Sequence, residues 1–398
     1  MTAGVRTIVR KVVAGARAID RRIGRLTGSA TVLVEARTPL NLAVLRPVFT
    51  PLLQDQRLRV LFTGTGRPDL AHAFVEAGVV SRVIARKATK WKRVDLYINA
   101  DPWEAVRLRR AAKRLNFFHG VAGKYDLDCP KSLPLSLGRY DRIAFPNESR
   151  LTAYVEAGLA TAQQSALVGY PKVDVLANHR GDAAEAARAL GLDPSKKTAI
   201  FAPTFSVASA LHEAGEVIVE QLLASGLNVI VKLHDRSLDP DARFNAGIDW
   251  KERLRRFQSH PGFLLASSGD STRYVLGSDL MVSDHSSIAF EFCLLDRPLI
   301  VFEAPQLARS ARINPEKIAL LRSAAFVVRD ASTLSAAIDA CKREPALHAD
   351  ARRRVANQVF YRPGTATERA VRLVYELVEL EPLFAIAGTP PVRAWSTE

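Results

Sequence analysis

The sequence predicts an α/β protein built from two doubly wound, Rossmann-like domains. Short apolar segments rich in β-branched residues alternate with Ala-, Leu- and Arg-rich stretches along the whole chain. Continuous apolar strands separated by helices are typical of parallel sheets that helices cover on both faces. The segments form two sets of about six, one in each half, and a length of 398 residues suits two domains.

The predicted strands divide at a polar stretch near residues 172–197, where we place the hinge. In the first half they are the segments 30–36, 59–64, 80–86, 95–100, 115–120 and 142–147. In the second half they are the segments 198–204, 228–234, 262–267, 279–284, 298–303 and 325–330. We therefore predict an N-terminal domain over 28–175 and a C-terminal domain over 176–398, whose last helices could pack back on the first domain.

Residues 1–27 predict a separate, basic amphipathic helix. Apolar residues such as Ile8, Val12, Ile19 and Ile23 recur at helical spacing, and seven Lys or Arg residues accompany a single acid, Asp20. Such a helix can lie in the interface of an anionic membrane. It can equally pack its apolar face on its own domain, and the sequence leaves both interpretations open.

The formal net charge of +15 predicts a partner that carries negative charge. A second basic run, 107–114, predicts another helix, but aromatic residues do not alternate with base-reading polar residues. We therefore expect an anionic membrane surface and phosphorylated ligands, and no nucleic acid. Cys129, Cys293 and Cys341 are far apart, which indicates reduced thiols in the cytoplasm. Because no apolar run reaches the length of a membrane span, membrane association would be peripheral, on the inner face.

Polar residues follow several predicted strands at their carboxyl ends, where parallel sheets bind ligands. They are His119, Thr204, His234 and the group Asp284-His285-Ser286-Ser287. The sequence contains neither a GxGxxG motif after the first strand nor a GxxxxGK[ST] motif, which excludes the usual dinucleotide and P-loop sites.

The serine pair begins a predicted helix, so either Ser286 or Ser287 could simply cap it. Two hydroxyls and free backbone N–H groups at a helix start also favour phosphate. Glu291 has no Ser or Thr three residues before it, so a capping box does not explain this acid. It could accept hydrogen bonds from a ribose diol, or it could be a solvated surface acid.

Lys232 and His234 alternate along one predicted strand and so share a face, with Arg236 in the loop that follows. These cations suit a diphosphate. We expect His119 and Lys124 to face them from the other domain. A neutral imidazole can take a proton from an attacking hydroxyl, and surrounding cations stabilise a transferred phosphoryl group. The pattern predicts group transfer from a nucleotide diphosphate donor.

Several ordered motifs resemble the CDP-glycerol glycerophosphotransferase family of teichoic acid and capsule-polymer primases and polymerases. The resemblance rests on HGVAGK (119–124), VGYPKVDVL (168–176), FAPTF (201–205), VKLHDR (231–236), SDHSSIAFEFCLLDRPLIVF (283–302) and FYRPGTATERAV (360–371). It implies a GT-B-like fold, with two Rossmann-like domains facing a central cleft and the donor held mainly by the second.

The resemblance also implies the chemistry. His119 would activate an acceptor hydroxyl for attack on the β-phosphorus of a CDP-activated glycerol or similar polyol, with CMP leaving, and His234 would polarise the diphosphate. The acceptor would be a cell-surface glycan or a lipid-linked molecule. The implied donor-binding residues are Lys124, Thr204, Lys232, Arg236, Asp284, Ser286, Ser287, Glu291, Thr365 and Glu368. We expect no tightly bound cofactor and no protein metal site, and leave a divalent metal requirement open.

The chain departs from the family pattern at three places: HGVAGK replaces the usual HGTPLK, Asp235 replaces a proline, and His285 replaces a tyrosine. These departures leave open whether the donor pocket holds a different polyol or a different nucleotide group. One alternative keeps the fold and assigns a nucleotide-sugar glycosyltransferase or a UDP-sugar 2-epimerase. A second alternative is a non-catalytic, membrane-associated module that binds a polyanion.

Overall fold

The computed structural model describes residues 29–101, 108, 113–128, 137–239, 245–267 and 269–383. The predicted helix over 1–27 and most of the basic run at 107–114 lie outside these described residues. The described residues divide into two compact units. Those within Met1–His119, Leu133–Lys172 and Thr365–Glu398 form the N-terminal unit, and those within Gly120–Ser132 and Val173–Gly364 form the C-terminal unit.

This division differs from the predicted domain boundaries at two segments. Of the described residues, 120–128 belong to the C-terminal unit and 365–383 to the N-terminal unit, so the chain passes between the units more than once. The passage between Lys172 and Val173 lies near the boundary that we predicted at 175. Lys124, which we expected on the N-terminal domain, therefore lies in the C-terminal unit.

The N-terminal unit contains a parallel sheet in the order β2-β1-β3-β4-β5-β6. Its strands are β1 (Ala30–Ala36), β2 (Leu58–Gly64), β3 (Leu96–Asn99), β4 (Lys113–Phe117), β5 (Arg142–Phe145) and β6 (Ser165–Leu167). The strand order reverses between β1 and β3, as in flavodoxin-like sheets. The core against this sheet includes the aromatic residues Tyr97, Phe118, Phe145 and Tyr154.

The C-terminal unit contains a second parallel sheet, in the order β12-β11-β10-β7-β8-β9. Its strands are β7 (Thr198–Phe201), β8 (Asn228–Val231), β9 (Phe263–Leu265), β10 (Leu280–Ser283), β11 (Leu299–Phe302) and β12 (Phe326–Val328). This is the Rossmann order, and it reverses between β7 and β10. Ligands of such sheets bind outside the carboxyl ends of the strands at that reversal.

Helices connect the strands of both sheets. In chain order the α-helices of the described residues are α1 (Pro39–Leu52), α2 (Pro68–Glu76), α3 (Glu148–Glu156), α4 (Asp174–Ala177), α5 (Ala183–Ala189), α6 (Ala210–Ala224), α7 (Trp250–Arg253), α8 (Thr272–Leu276), α9 (Ser287–Phe292), α10 (Pro305–Ser310), α11 (Pro315–Ser323), α12 (Leu334–Arg343), α13 (Ala349–Val359) and α14 (Ala366–Val378). Short 3-10 helices lie at Val80–Arg82, Arg86–Trp91, Leu137–Arg139, Pro171–Val173, Asp235–Leu238, Leu254–Phe257, Cys293–Leu295 and Ala331–Thr333.

The predicted fold class, two doubly wound domains with parallel sheets, is confirmed, and all six strands predicted in the second half are present. The predicted strand 80–86 is wrong. There the chain forms 3-10 turns and touches the edge strand β2 at one bridge, between Phe62 and Val83. The β-branched residues that suggested a strand are Val80, Val83 and Ile84, and polar and small residues interrupt them. The sixth strand of the first sheet is instead β6, which sequence analysis missed because it has three residues.

Candidate active site

His119 lies just beyond the carboxyl end of β4 in the N-terminal unit. Its ring Nδ1 is hydrogen-bonded to the carbonyl oxygen of Ala100, in the loop after β3. Asn99 supports that loop by donating to the carbonyl of Asp101, at 2.7 Å. Because a carbonyl can only accept, Nδ1 carries the hydrogen, and Nε2 of a neutral ring is left as a proton acceptor. The local structure therefore selects the tautomer that a general base at Nε2 requires.

The pKa of His119 is lowered from its usual value, chiefly because burial disfavours the charged ring. The positive charges of Arg150 and Lys172 lower it further, whereas Asp101 and the bond to Ala100 oppose them. His119 is thus neutral at pH 7, the state in which it can accept a proton.

Three buried cations of the N-terminal unit escaped the sequence analysis. Arg150, Lys172 and Arg369 are 1%, 6% and 4% exposed. Arg150 lies on α3 after β5, Lys172 lies after β6, and Arg369 of α14 donates to the carbonyl of Val168 at 2.7 Å. Lys172 belongs to the VGYPKVDVL segment, which was an available signal, whereas nothing local in the sequence marks Arg150.

The second catalytic candidate, His234, and most of the donor-binding candidates lie in the C-terminal unit, around the strand-order reversal. Asp284 follows β10, is fully buried, and accepts from the backbone N–H of Thr204 at 2.9 and 3.1 Å and from that of Ala210 at 3.2 Å. The Nζ of Lys124 donates to the Thr204 hydroxyl at 2.7 Å. These three residues, all predicted for the site, are therefore connected through the hydroxyl and the backbone N–H of Thr204.

Lys124 and Asp284 are an electrostatically linked pair in a desolvated setting. Burial lowers the pKa of Lys124 to about 8, while the charge of Asp284 opposes this change. Burial also raises the pKa of Asp284, against the effects of Lys124 and the bonds from Thr204. Each charge therefore partly offsets the effect of burial on the other.

The segment that carries Lys124 is fastened to the C-terminal unit by backbone bonds. The N–H of Asn314 donates to the carbonyl of Gly123 at 2.9 Å, and the N–H of Tyr125 donates to that of Ala311 at 2.8 Å. Gly123 has a φ of +64°, and a Cβ there would lie 2.8 Å from the side chain of Lys317. Glycine at this position of HGVAGK thus satisfies both a left-handed backbone and a close approach.

His285, the residue that replaces the family's tyrosine, packs into the same region. Its Nε2 is 3.2 Å from the carbonyl oxygen of Ala122, and its ring makes an edge contact with Phe290, at 5.5 Å between centroids. Burial lowers its pKa to about 3, with the charges of Lys124 and Lys317 acting in the same direction. His285 is neutral at physiological pH and connects the 120–128 segment to the strand end.

His234 and Arg236 share one aromatic platform in the C-terminal unit. The ring of Phe205 lies 4.5 Å from that of His234, and the Arg236 guanidinium lies 4.9 Å from the Phe205 centroid. The Nδ1 of His234 accepts from the backbone N–H of Arg236 at 3.1 Å. In a neutral ring the hydrogen is then on Nε2, which makes His234 a hydrogen-bond donor at that edge.

Lys232 and His234 do not alternate along a strand, as we predicted, because β8 ends at Val231. Lys232 is buried, and its Nζ donates to the carbonyl of Leu233 at 2.6 Å. Asp235, which replaces the family's proline, begins a 3-10 helix that ends at Leu238. The chain therefore turns immediately after His234.

Ser286 is the N-cap of α9, but its side chain makes no capping hydrogen bond within the described structure. Ser286 and Ser287 are both half-buried. Glu291 is 4% exposed, so the alternative that it is a solvated surface acid is wrong. Its buried position on α9, one turn after the serines, keeps the proposed ribose contact available.

Thr365 and Glu368 lie at the start of α14, in the N-terminal unit. The Thr365 hydroxyl accepts from Arg369 at 2.7 Å, so this residue orients a buried cation. They therefore belong to a different unit from most of the other donor-binding candidates. A direct contact between these two residues and a donor stays a prediction.

Some general expectations can also be compared with the structure. Cys293 and Cys341 are free and buried, and burial raises the pKa of both thiols to about 12. Across the described ranges, no group of three or more His, Cys, Asp or Glu side chains is arranged to hold a metal ion. None of the helices in the described part of the chain is long and apolar enough to cross a membrane.

Comparison with known proteins identifies the family. The sequence model of the CDP-Glycerol:Poly(glycerophosphate) glycerophosphotransferase family matches residues 79–376, about three quarters of the chain. The chain belongs to this family. The resemblance inferred from the ordered motifs is thereby confirmed.

A curated relative is the teichoic acid poly(glycerol phosphate) polymerase of Staphylococcus epidermidis, with 23% identity over 241 residues. The match covers 54% of this chain and 31% of the relative, so the chain spans about a third of that protein.

Solved structures share the fold. The wall teichoic acid polymerase TagF, as a histidine variant, has a TM-score of 0.61 at 13% identity, covering 93% of this chain and 96% of its own. The UDP-GlcNAc 2-epimerase of Methanocaldococcus jannaschii, with UDP-GlcNAc and UDP, has a TM-score of 0.56 at 14% identity, covering 87% and 99%. At this identity the similarity establishes the fold, a two-domain GT-B-like architecture.

Proposed function

We propose that this protein transfers glycerol phosphate, or a similar polyol phosphate, from a CDP-activated donor to a hydroxyl of a glycan or lipid-linked acceptor. The observation that carries the proposal is family membership over residues 79–376, with His119 held as a neutral base at a strand end. A TagF structure that shares this fold was obtained from a His→Asn variant soaked with CDPG.

In the proposed reaction the acceptor oxygen forms a bond to the β-phosphorus of the donor. The bond from that phosphorus to the bridging oxygen breaks, and CMP leaves with the electron pair. The hydroxyl proton passes to Nε2 of His119, because Nδ1 is already protonated and bonded to Ala100. The lowered pKa of His119 keeps it unprotonated before the attack.

The C-terminal unit would bind the donor. His234 would donate from Nε2 to a diphosphate oxygen, and Arg236, stacked on Phe205, would add a guanidinium. Lys232 is the second cation predicted for the diphosphate. The backbone N–H groups and hydroxyls at Ser286 and Ser287 would bind phosphate, and Glu291 would accept from the ribose hydroxyls.

We predicted that Lys124, Thr204 and Asp284 bind the donor directly. Their contacts instead favour a supporting role. Their mutual bonds support the loop after His119 and the carboxyl end of β10. We propose that they position the donor-binding segment and that Asp284 does not touch the donor.

We also place the protein in the cytoplasm, at the inner face of the cell membrane, where a lipid-linked acceptor would be found. The basic helix predicted at 1–27 and the net charge of +15 support this location. The proposed partners are the nucleotide-diphosphate donor and the glycan or lipid-linked acceptor. We do not expect the protein to bind nucleic acid.

The first experiment measures CMP release by the purified protein from CDP-glycerol and CDP-ribitol, with UDP-GlcNAc and GDP-mannose as competing donors. His119→Ala tests the base. His72→Ala is the matched control, because His72 is an exposed histidine of the same unit. We expect release from a CDP-polyol by the wild type and by the control, and a loss of at least about a hundredfold in His119→Ala.

Turnover of a UDP- or GDP-sugar without turnover of a CDP-polyol would overturn the assignment and favour glycosyl transfer. Equal turnover by His119→Ala and wild type would remove the base role. Binding of a glycerophosphate polymer without any turnover would support the non-catalytic alternative.

A further inference from the structure

One edge of the N-terminal unit exposes apolar side chains. Val75 at the end of α2, Val80 in the first 3-10 helix and Trp91 at the end of the second are 60%, 57% and 64% exposed. Burial of a tryptophan ring contributes strongly to the stability of most folds, so a ring left this exposed is unusual. We call Val75, Val80 and residues 82–93 the basic edge surface.

The same surface is strongly cationic. Between Ala77 and Val94 the chain carries six Lys or Arg residues and no Asp or Glu. Arg86 pairs with Glu35 at 3.1 Å and Arg93 with Asp95 at 3.3 Å. The other four have no carboxylate partner among the described residues; they are Arg82, Lys87, Lys90 and Lys92.

The polypeptide here is held in place by its own unit. Both 3-10 helices pack against β2, the edge strand of the sheet, and the N–H of Ile84 donates to the carbonyl of Phe62 at 2.8 Å. A cavity of about 270 Å³ lies beside it, lined partly by residues 83–86 and by the loop from Gly64 to Pro68. The exposed side chains therefore project from an ordered segment.

We propose that the basic edge surface docks on an anionic lipid bilayer, with Trp91 and Val80 entering the interface and the four cations close to lipid phosphates. Tryptophan is favoured at the level of the headgroups, and each nearby lysine or arginine contributes electrostatic attraction. Charge complementarity selects an anionic bilayer over a second copy of this chain, because two such surfaces would repel each other. This surface is distinct from the helix predicted at 1–27 and needs no donor or turnover.

The test uses the full chain and phosphatidylcholine vesicles with or without phosphatidylglycerol, with a bromine quencher on the lipid chains near the headgroups. Wild type is compared with Trp91→Phe, which leaves Trp103, Trp250 and Trp395 in place. We expect anionic vesicles to quench wild-type fluorescence and the quenching to fall in Trp91→Phe. Equal quenching of both proteins would place Trp91 outside the membrane and overturn the proposal, even if another segment binds.

A second measurement tests whether vesicle binding depends on the charge of this surface or only on the net charge of the protein. Replacing Lys87 and Lys92 by Gln should weaken vesicle binding by about 25-fold, since each cation contributes about fivefold. The matched control, Lys196→Gln with Lys251→Gln, removes the same charge from exposed lysines of the C-terminal unit. Equal losses for both pairs would overturn the proposal. So would a loss confined to a soluble glycerophosphate polymer, with vesicle binding intact.

Catalysis does not enter these measurements. If CMP release from every donor were absent while Trp91 was quenched, the proposed function would fail and the surface would stand. If turnover were normal and Trp91 were not quenched, the proposed function would stand and the membrane-docking surface would fail.

Discussion

Removing the charge of Lys124 should destabilise the C-terminal unit, because the carboxylate of Asp284 would lose its compensating cation. Lys124→Met keeps most of the side-chain volume. Breaking a direct buried ion pair from one side costs about 3–5 kcal/mol, but Lys124 and Asp284 are joined through Thr204 and form no ion-pair contact among the described residues. We therefore expect a smaller cost of about 1–3 kcal/mol, because Asp284 also keeps the two backbone donors at Thr204 and Ala210.

The effect of pH has a definite sign. The folded pKa of Lys124, about 8, is below the ordinary lysine pKa of 10.5, so the unfolded chain binds more protons between these values. Wild-type stability should therefore rise with pH across that window, by about 3 kcal/mol, and Lys124→Met should lack this rise.

Acidification should reduce the stability difference between Lys124→Met and wild type. The folded pKa of Asp284 is raised, and removal of the cation that lowers it raises it further. A raised carboxyl pKa gives stability at low pH that is lost as the pH rises through that value. The deficit of Lys124→Met relative to wild type should consequently shrink on acidification.

The assay is urea unfolding followed by the fluorescence of Trp250, a buried reporter of the C-terminal unit, with the other three tryptophans replaced by Phe. Lys196→Met is the matched control at an exposed lysine and should change stability by less than about 0.5 kcal/mol. Combining Lys124→Met with Asp284→Asn should cost about 1–3 kcal/mol less than the sum of the single changes. Additive costs and a deficit independent of pH would refute the pairing.

Three further predictions follow from the described contacts. Lys172→Met removes a charge that lowers the pKa of His119, so the acid limb of the pH profile of CMP release should move to higher pH; an unmoved limb would exclude the coupling. Gly123→Ala should destabilise the protein by about 2–3 kcal/mol in urea unfolding, because of its positive φ and the close approach of neighbouring side chains; a neutral effect would contradict this account. Tyr375→Phe removes the 2.8 Å hydrogen bond to buried Asp55 and should cost about 1–2 kcal/mol, measurable as a lower Tm; an unchanged Tm would show that this bond contributes nothing.

Much of the fold could be read from local patterns. The second-half strands are continuous apolar segments between helices, and their carboxyl ends carry Thr204 and Asp284, so the sequence indicated both the sheet and this end of it. The prediction of a strand at 80–86 was wrong, because an apolar segment at the edge of a sheet can pack against it through a single bridge without forming a strand. Strand periodicity also failed to detect β6, which is shorter than the pattern can register.

The candidate site was predictable where one residue type suits one chemical role, and less so where partners are distant in sequence. Lys124 and Thr204 are 80 residues apart, and no local feature shows that their side chains bond. The assignment of residues 120–128 to the C-terminal unit has the same origin, because backbone bonds to Ala311 and Asn314 support it. Arg150 was missed because a buried arginine and a solvated one look alike in a polar helix start.

The opposite hydrogen placement in His119 and His234 has a consequence for which residues can replace them. A glutamine amide can present an N–H near the position of Nε2, so Gln at 234 could preserve donation to an anionic oxygen. No amide can accept a proton at neutral pH, so neither Gln nor Asn at 119 could serve as a base. An uncharged amide could therefore take over the role of His234 but not that of His119.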